Sequence, residues 1–319
     1  MLHILLISFA LLAGVPASAQ SWPTKPVKLI VPFPPGGSAD PIARVISAKL
    51  AISLGQPFIV ENKPGASGSI GTGIAAKSPP DGYTFVVVFD THAVNPFLIA
   101  DMPFDTQKDL QPVMLVGVAP LAIATLPTKP YKNLADVVAA AKRNPNAVTF
   151  GSVQNGSTGH LEMLLWQKAA GVRLTHAPYR GAAPMVTDAL GGHIELAIGS
   201  AAVIAPQVRS GKLRGIAVTS ENRSSAMPEV STLVEQGYPN LNAYAWWGIY
   251  APAGLPKVIL EKFHAEVVKA FRAPDVVQLM QDQLGMQLVL NTPEEMQKFV
   301  NIEMLRWSNV IKENGIKLD

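Results

Sequence analysis

The chain has 319 residues, 48% of them hydrophobic, enough to build two domains with sizeable cores. Basic residues number 26 against 23 acidic, a formal net charge of +3 without a long basic block, and nothing in that balance asks for nucleic acid. There is no cysteine, which excludes disulfides, thiol catalysis and a lipidated N-terminal Cys.

Residues 4–13 are almost wholly apolar, too few for a membrane span of roughly 20 residues, and lead to Ala17-Ser18-Ala19 before Gln20. This pattern predicts a signal peptide over 1–19, cleaved near Ala19, although Met1-Leu2-His3 lacks the usual Lys or Arg. The apolar run 27–31 then reads as a buried strand. It enters the stretch Pro32-Phe33-Pro34-Pro35-Gly36-Gly37-Ser38-Ala39-Asp40-Pro41, after which Ile42, Val45, Ile46, Leu50 and Leu54 share one helix face.

Strand, glycine turn and helix outline an anion site. The first helical turn carries N–H groups with no partner inside the helix, and the aligned peptide dipoles place partial positive charge there. Asp40 is the expected N-cap and Pro41 the first helical residue. Gly36 and Gly37 let the backbone approach a ligand closely. A well-capped helix after a tight turn, with no ligand, is the competing account. A nucleotide loop is excluded, because Ser38-Ala39 stands where Lys followed by Ser or Thr is required, and the cluster Gly65, Gly68, Gly71, Gly73 has the wrong order.

Further along, 57–61 is a short strand, 67–77 a small helix and 83–89 a second buried strand, the alternation of an open parallel sheet. Ligands in such sheets bind beyond the carboxyl ends of strands, where residues 90–96 fall. The segment 113–126 is again apolar, and 133–143 is a helix capped by Asn133. The opening motif then recurs: a strand at 148–151, a polar glycine-bearing loop over 152–159, and an amphipathic helix capped by Ser157 or Thr158. Helices at 184–190 and 203–210 alternate with strands at 193–200 and 213–220. Residues 244–251 read as an extended crossing, followed by helices at 256–272 and 274–284. Thr292-Pro293-Glu294-Glu295 is a capping box that opens a last helix to about 314.

The stretches LIVPFPPGGSAD, VENKPGASGSIG, PPDGYTF, VNPFL, GSVQNGSTGHL, PYRGAAPMVTDALGGHIELA, SGKLRGIAVTS and WWGIYAPAGLP, in this order, resemble the Bug or TctC family, the extracytoplasmic receptors of tripartite tricarboxylate transporters. The resemblance implies an α/β type II periplasmic-binding-protein fold: two α/β lobes joined by two crossing strands, with a ligand cleft between them. Lobe 1 would comprise 20–122 and the returning chain 246–319, and lobe 2 would comprise 123–245. It implies a periplasmic, monomeric receptor without cofactor or enzymatic activity. Such a receptor takes a dicarboxylate or aromatic carboxylate by hinge closure and passes it to membrane permease subunits. A sensor acting on a membrane histidine kinase is the alternative role, and a periplasmic hydrolase a more remote one.

Carried over residue by residue, the implied ligand contacts are Phe33, Gly36, Gly37, Ser38 and Asp40 in the first loop, and Thr91, His92 and Asn95 after the second strand. In the second lobe they are Ser152, Gln154, Gly156, Ser157, Thr158 and His160, then Tyr179 and Gly181 of the Tyr179-Arg180-Gly181 run, and Ser200. Ser200 stands where many relatives have Asp.

Several residues have ordinary structural readings beside these. His176, His193 and His264 lack metal-type spacing and are expected to be structural, and no metal site is expected. Ser157 is not a hydrolase elbow, because Gly-x-Ser-x-Gly would need glycine where Asn155 stands. Trp246 and Trp247 serve either a pocket wall or the core. Asp188 lies in mid-helix, in a supporting or packing role.

Overall fold

Strands rich in β-branched residues alternate with amphipathic helices along almost the whole chain. The computed structural model describes residues 22–316, so the expected signal peptide lies outside the described residues. The elements are β1 (Val27–Val31), α1 (Ala39–Leu54), β2 (Phe58–Asn62), α2 (Ser69–Ala76), β3 (Thr84–Phe89), α3 (Thr91–Leu98), β4 (Leu110–Thr125) and α4 (Leu134–Arg143). There follow β5 (Thr149–Val153), α5 (Thr158–Ala170), β6 (Thr175–Tyr179), α6 (Ala182–Leu190), β7 (Leu196–Ser200), α7 (Ala201–Arg209) and β8 (Arg214–Val218). The chain ends with β9 (Tyr244–Pro252), α8 (Lys257–Phe271), α9 (Pro274–Gln278), β10 (Gln287–Leu288) and α10 (Pro293–Asn314).

The sheet runs β2-β1-β3-β9-β4-β7-β5-β6, with β8 and β10 also paired to β4. Toward each end the strands are parallel, β1 with β2 and β3, and β5 with β6 and β7. Parallel neighbours need crossover helices, and these cover the faces. In the middle, β4 and β9 pair antiparallel from Leu110↔Pro252 to Pro120↔Tyr244. Beyond that point β4 continues alone and pairs with β7 on one side and β8 on the other. The result is two α/β halves joined by two crossing strands, the periplasmic-binding-protein architecture expected from the sequence.

The apolar face of α1 explains its position. Ile42, Ile46 and Leu50 recur at helical spacing and are completely buried against Val27, Leu29 and Val31. Truncating one of them to Ala in so tight a seam costs about 2–5 kcal/mol. Three caps are as expected: Asn133 accepts from the Asp136 N–H, Ser157 from the His160 N–H, and Thr292 with Glu295 completes a capping box.

Two expectations about α1 fail. Pro41 is not its first residue and Asp40 does not cap it; the helix starts at Ala39 with Ser38 as N-cap, and Asp40 lies inside the first turn. Stronger donors draw its carboxylate away: Arg44, one turn on, bonds it at 2.9 and 3.1 Å, and Asn62 at 3.0 Å. The residues after β3 follow its carboxyl end as expected, and there form the helix α3, with Pro96 inside it.

Candidate functional site

The loop between β1 and α1 is held from below. Asn62, the last residue of β2, donates to Phe33 O at 3.1 Å as well as to Asp40. Burial opposes ionisation of Asp40, but bonds from Arg44 and Asn62, the Arg44 charge and the Gly36 N–H prevail and hold its carboxyl below the usual range. The Trp247 indole donates to Ser38 Oγ at 3.2 Å, which leaves the serine its own proton to give. Gly36 needs its φ of +82°; Gly37 has ordinary backbone geometry, and a Cβ there would meet only Pro34 O, at 3.6 Å.

From the second half, α6 starts after Gly181 and α7 after Ser200, and both starts face the same space as the start of α1. Each first turn brings N–H groups without intrahelical partners, together with its partial positive charge. Three helix N-termini therefore converge. Ser200 caps α7 by position only; its hydroxyl makes no capping bond, although the residue is 4% exposed.

The cleft has two chambers that share Pro34 and Arg180 in their walls. The smaller, of about 290 Å³, is where the helix starts meet, with Phe33, Phe89, Val153, Pro184 and Val203 around them. The larger, of about 680 Å³, is polar and presents Ser67, Gln154, Asn155 and Tyr179. Among the described residues Arg180 is the only charged side chain in either wall. The halves approach closely at one point, where a Cβ on Gly181 would sit 3.7 Å from Pro34 Cγ.

Of the residues singled out in the sequence, Phe33, Gly37, Ser38, Gly181 and Ser200 line the smaller chamber, and Gln154 and Tyr179 the larger. Gly36 and Asp40 line an adjoining outer groove. Thr91 and Asn95 stand one layer back, donating to Ser67 O at 3.1 and 2.9 Å. This support has a purpose, because Ala66 and Ser67 have φ of +43° and +53°, a left-handed pair whose strain is of order 1–3 kcal/mol per residue. Tyr179 is fixed in turn by Asp188, to which its hydroxyl donates at 2.7 Å; burial first and this bond second push the phenol up to about 12.

The remaining positions turn inward. His92 packs against Tyr250 with ring centroids 4.6 Å apart, and burial pushes it down to about 3. Ser152 Oγ lies 2.8 Å from His176 Nε2, and His160 Nδ1 accepts from the Gly156 N–H at 3.0 Å. Ser157 meets His160 through that residue's backbone N–H, so the imidazole is not placed as its base. Thr158 faces the buried Asp90 from across the two halves, neither with a well-formed hydrogen bond; burial foremost, with the Glu303 charge, pushes Asp90 well above the usual carboxylate range. Trp246 and Trp247 are fully buried, Trp247 touching the site from behind through Ser38 and Phe89.

Sequence reasoning passed over Ser67, Phe89, Val203 and the first turn of α6. The glycines around Ser67 were the available signal for the first. Nothing in the local pattern marks Phe89 or Val203, whose roles arise from the closing of the two halves on each other.

Two lobes joined by crossing strands, a cleft between the lobes and helix starts aimed into it define a solute-binding receptor of the periplasmic-binding-protein class. Residues 42–316 match the model of the tripartite tricarboxylate transporter family receptor, TctC, and the chain belongs to this family. It is 38% identical to Protein BugT of Bordetella pertussis over 314 residues, 97% of this chain and 96% of that one. Among solved structures it superposes on R. palustris Rpa4515 with adipate at 33% identity and a TM-score of 0.88, covering 93% of this chain and 100% of that one. It also superposes on MatC from Rhodopseudomonas palustris with bound malate at 28% identity and a TM-score of 0.84, covering 91% and 100%.

Proposed function

We propose that this chain is a periplasmic receptor that captures a small organic acid between its lobes and delivers it to the permease subunits of a tripartite tricarboxylate-type transporter. The observation that carries this reading is the convergence of the starts of α1, α6 and α7 on one chamber, with Ser38 and Ser200 hydroxyls beside them. A carboxylate is the small group that such a cluster of donors and partial positive charge stabilises best. The adipate and malate named with two relatives support the same ligand class.

In this reading the lobes are 20–122 with 246–319, and 123–245, and the receptor works as a monomer without catalysis or cofactor. Capture is hinge closure. Two charge-assisted bonds in one lobe give about 3–6 kcal/mol, which an association cost of at least about 4 kcal/mol nearly cancels; four bonds across both lobes outweigh it. The closed form is favoured because it alone uses both sets of donors.

The test is a thermal-shift screen of carboxylic acids, each beside its neutral amide. An acid at 100 times its Kd should stabilise the protein by about 2.7 kcal/mol. Equal shifts from acid and amide would remove the anion-site argument.

A further inference from the structure

The smaller chamber is mostly apolar. Beyond Ser38, Ser200 and the helix starts, its surface is made by Phe33, Phe89, Val153, Pro184 and Val203. Phe33 meets Phe89 edge to face, centroids 5.9 Å apart at 82°, and Phe89 rests on Trp247 at 5.4 Å, so the aromatic side of the wall is braced from behind. Ser200, only 4% exposed, makes no capping bond with its hydroxyl and lines this space, where the hydroxyl can donate to a carboxylate.

A cavity of about 150 Å³ lined by Leu, Ile and Phe holds benzene. The 290 Å³ here has room for a ring bearing a carboxylate, or for an open chain of about six carbons. A hydroxyl on that body would leave water and meet only carbon along Phe33, Phe89 and Val203. A buried group stripped of its partners is what sites use to reject a near-isostere. Arg180, in the wall of both chambers, offers a charge to a second carboxylate.

On the receptor reading above, we infer that the cleft selects carboxylic acids with an apolar body, a ring or a chain of about six carbons, over hydroxylated acids of the same length. Phe33, Phe89 and Val203 are the residues that set this preference.

The test is calorimetric titration of the purified protein with adipate, with its tetrahydroxy counterpart galactarate, and with benzoate. Adipate should bind at least about tenfold more tightly than galactarate. Val203→Thr keeps the side-chain volume and adds a hydroxyl to the wall, and it should narrow that ratio while leaving the melting temperature nearly unchanged. Galactarate binding as tightly as adipate would overturn the inference and leave the receptor reading standing. An unchanged ratio in Val203→Thr would remove Val203 from the selecting wall. If none of the three acids binds, this inference falls, and the receptor reading is decided separately by the screen of acids beside their amides.

Discussion

The imidazoles of His160 and His176 lie face to face, ring centroids 3.9 Å apart and planes 10° from parallel. Burial, reinforced by the His176 charge, pushes His160 down to about 3, and burial pushes His176 down to about 4. Two stacked cations in a half-dry setting would repel, so the folded state keeps both rings neutral. Because both folded values lie below the unfolded one near 6.5, their contribution is complete above pH 6.5 and is lost as the pH falls toward 3–4. Between pH 7 and 5 the loss is about 2 kcal/mol for His160, and less for the more open His176. NMR titration of the imidazole carbons should show both rings still neutral at pH 5; a midpoint near 6.5 for either would refute the assignment.

Glu162 titrates in the opposite sense. Burial on α5 pushes it up to about 7 against the weaker pull of Arg306, and both carboxylate oxygens lack partners. A raised folded value means that stability is full below pH 4.5 and declines as the pH rises through 7. Glu162→Gln should therefore gain on the native protein by about 3 kcal/mol between pH 5 and 8. Urea melts at those two pH values decide it, and a difference independent of pH would mean that the carboxylate is compensated when ionised.

At the α1 turn, binding and folding should separate. Gly37 has no positive φ, and a Cβ there finds only Pro34 O at 3.6 Å, so Gly37→Val should fold nearly normally. Branched carbon beside the α1 N–H groups should weaken binding of a carboxylate at least about tenfold, some 1.4 kcal/mol. Gly36→Val, at φ +82°, should cost stability by strain of about 1–3 kcal/mol. Full affinity in Gly37→Val would make this turn a structural one.

Asp40 braces the loop and does not cap the helix. Asp40→Ala breaks bonds to Arg44, Asn62 and the Gly36 N–H at once, and should cost about 1–3 kcal/mol in denaturant melts. Because Asn62 also holds Phe33 O, carboxylate affinity should fall in the same variant. A simple cap would lose stability with affinity intact.

Most of the architecture was legible because it depends on periodicity. The α1 face and the Thr292 box follow from residue spacing and cap chemistry that act locally, and 244–251 reads as an extended crossing, although its antiparallel pairing with β4 is set by the fold. The site was legible in its loops and less so in its depth. Asp40 has the letters of an N-cap, but Arg44 one turn on and Asn62 from the next strand redirect it. Thr91 and Asn95 have the polarity of ligand groups, yet they spend it on Ser67 O, a partner set by the fold. β6 has alternation too weak to register in Thr-His-Ala-Pro-Tyr, and its pairing with β5 is supplied from outside. Phe89 and Val203 are ordinary core letters that become wall because two halves face each other.

Pro120 and Tyr244 stand opposite each other in the register of β4 and β9. Everything between them in sequence departs from one spot on the sheet and comes home to it. That makes the stretch a cassette with adjacent ends, one that recombination can lift from one relative and set into another at two neighbouring junctions. Since α1 lies outside the cassette and α6 and α7 lie within it, such an exchange would pair an inherited half of a recognition surface with a borrowed one, and new ligand ranges could arise by shuffling before any single residue changes.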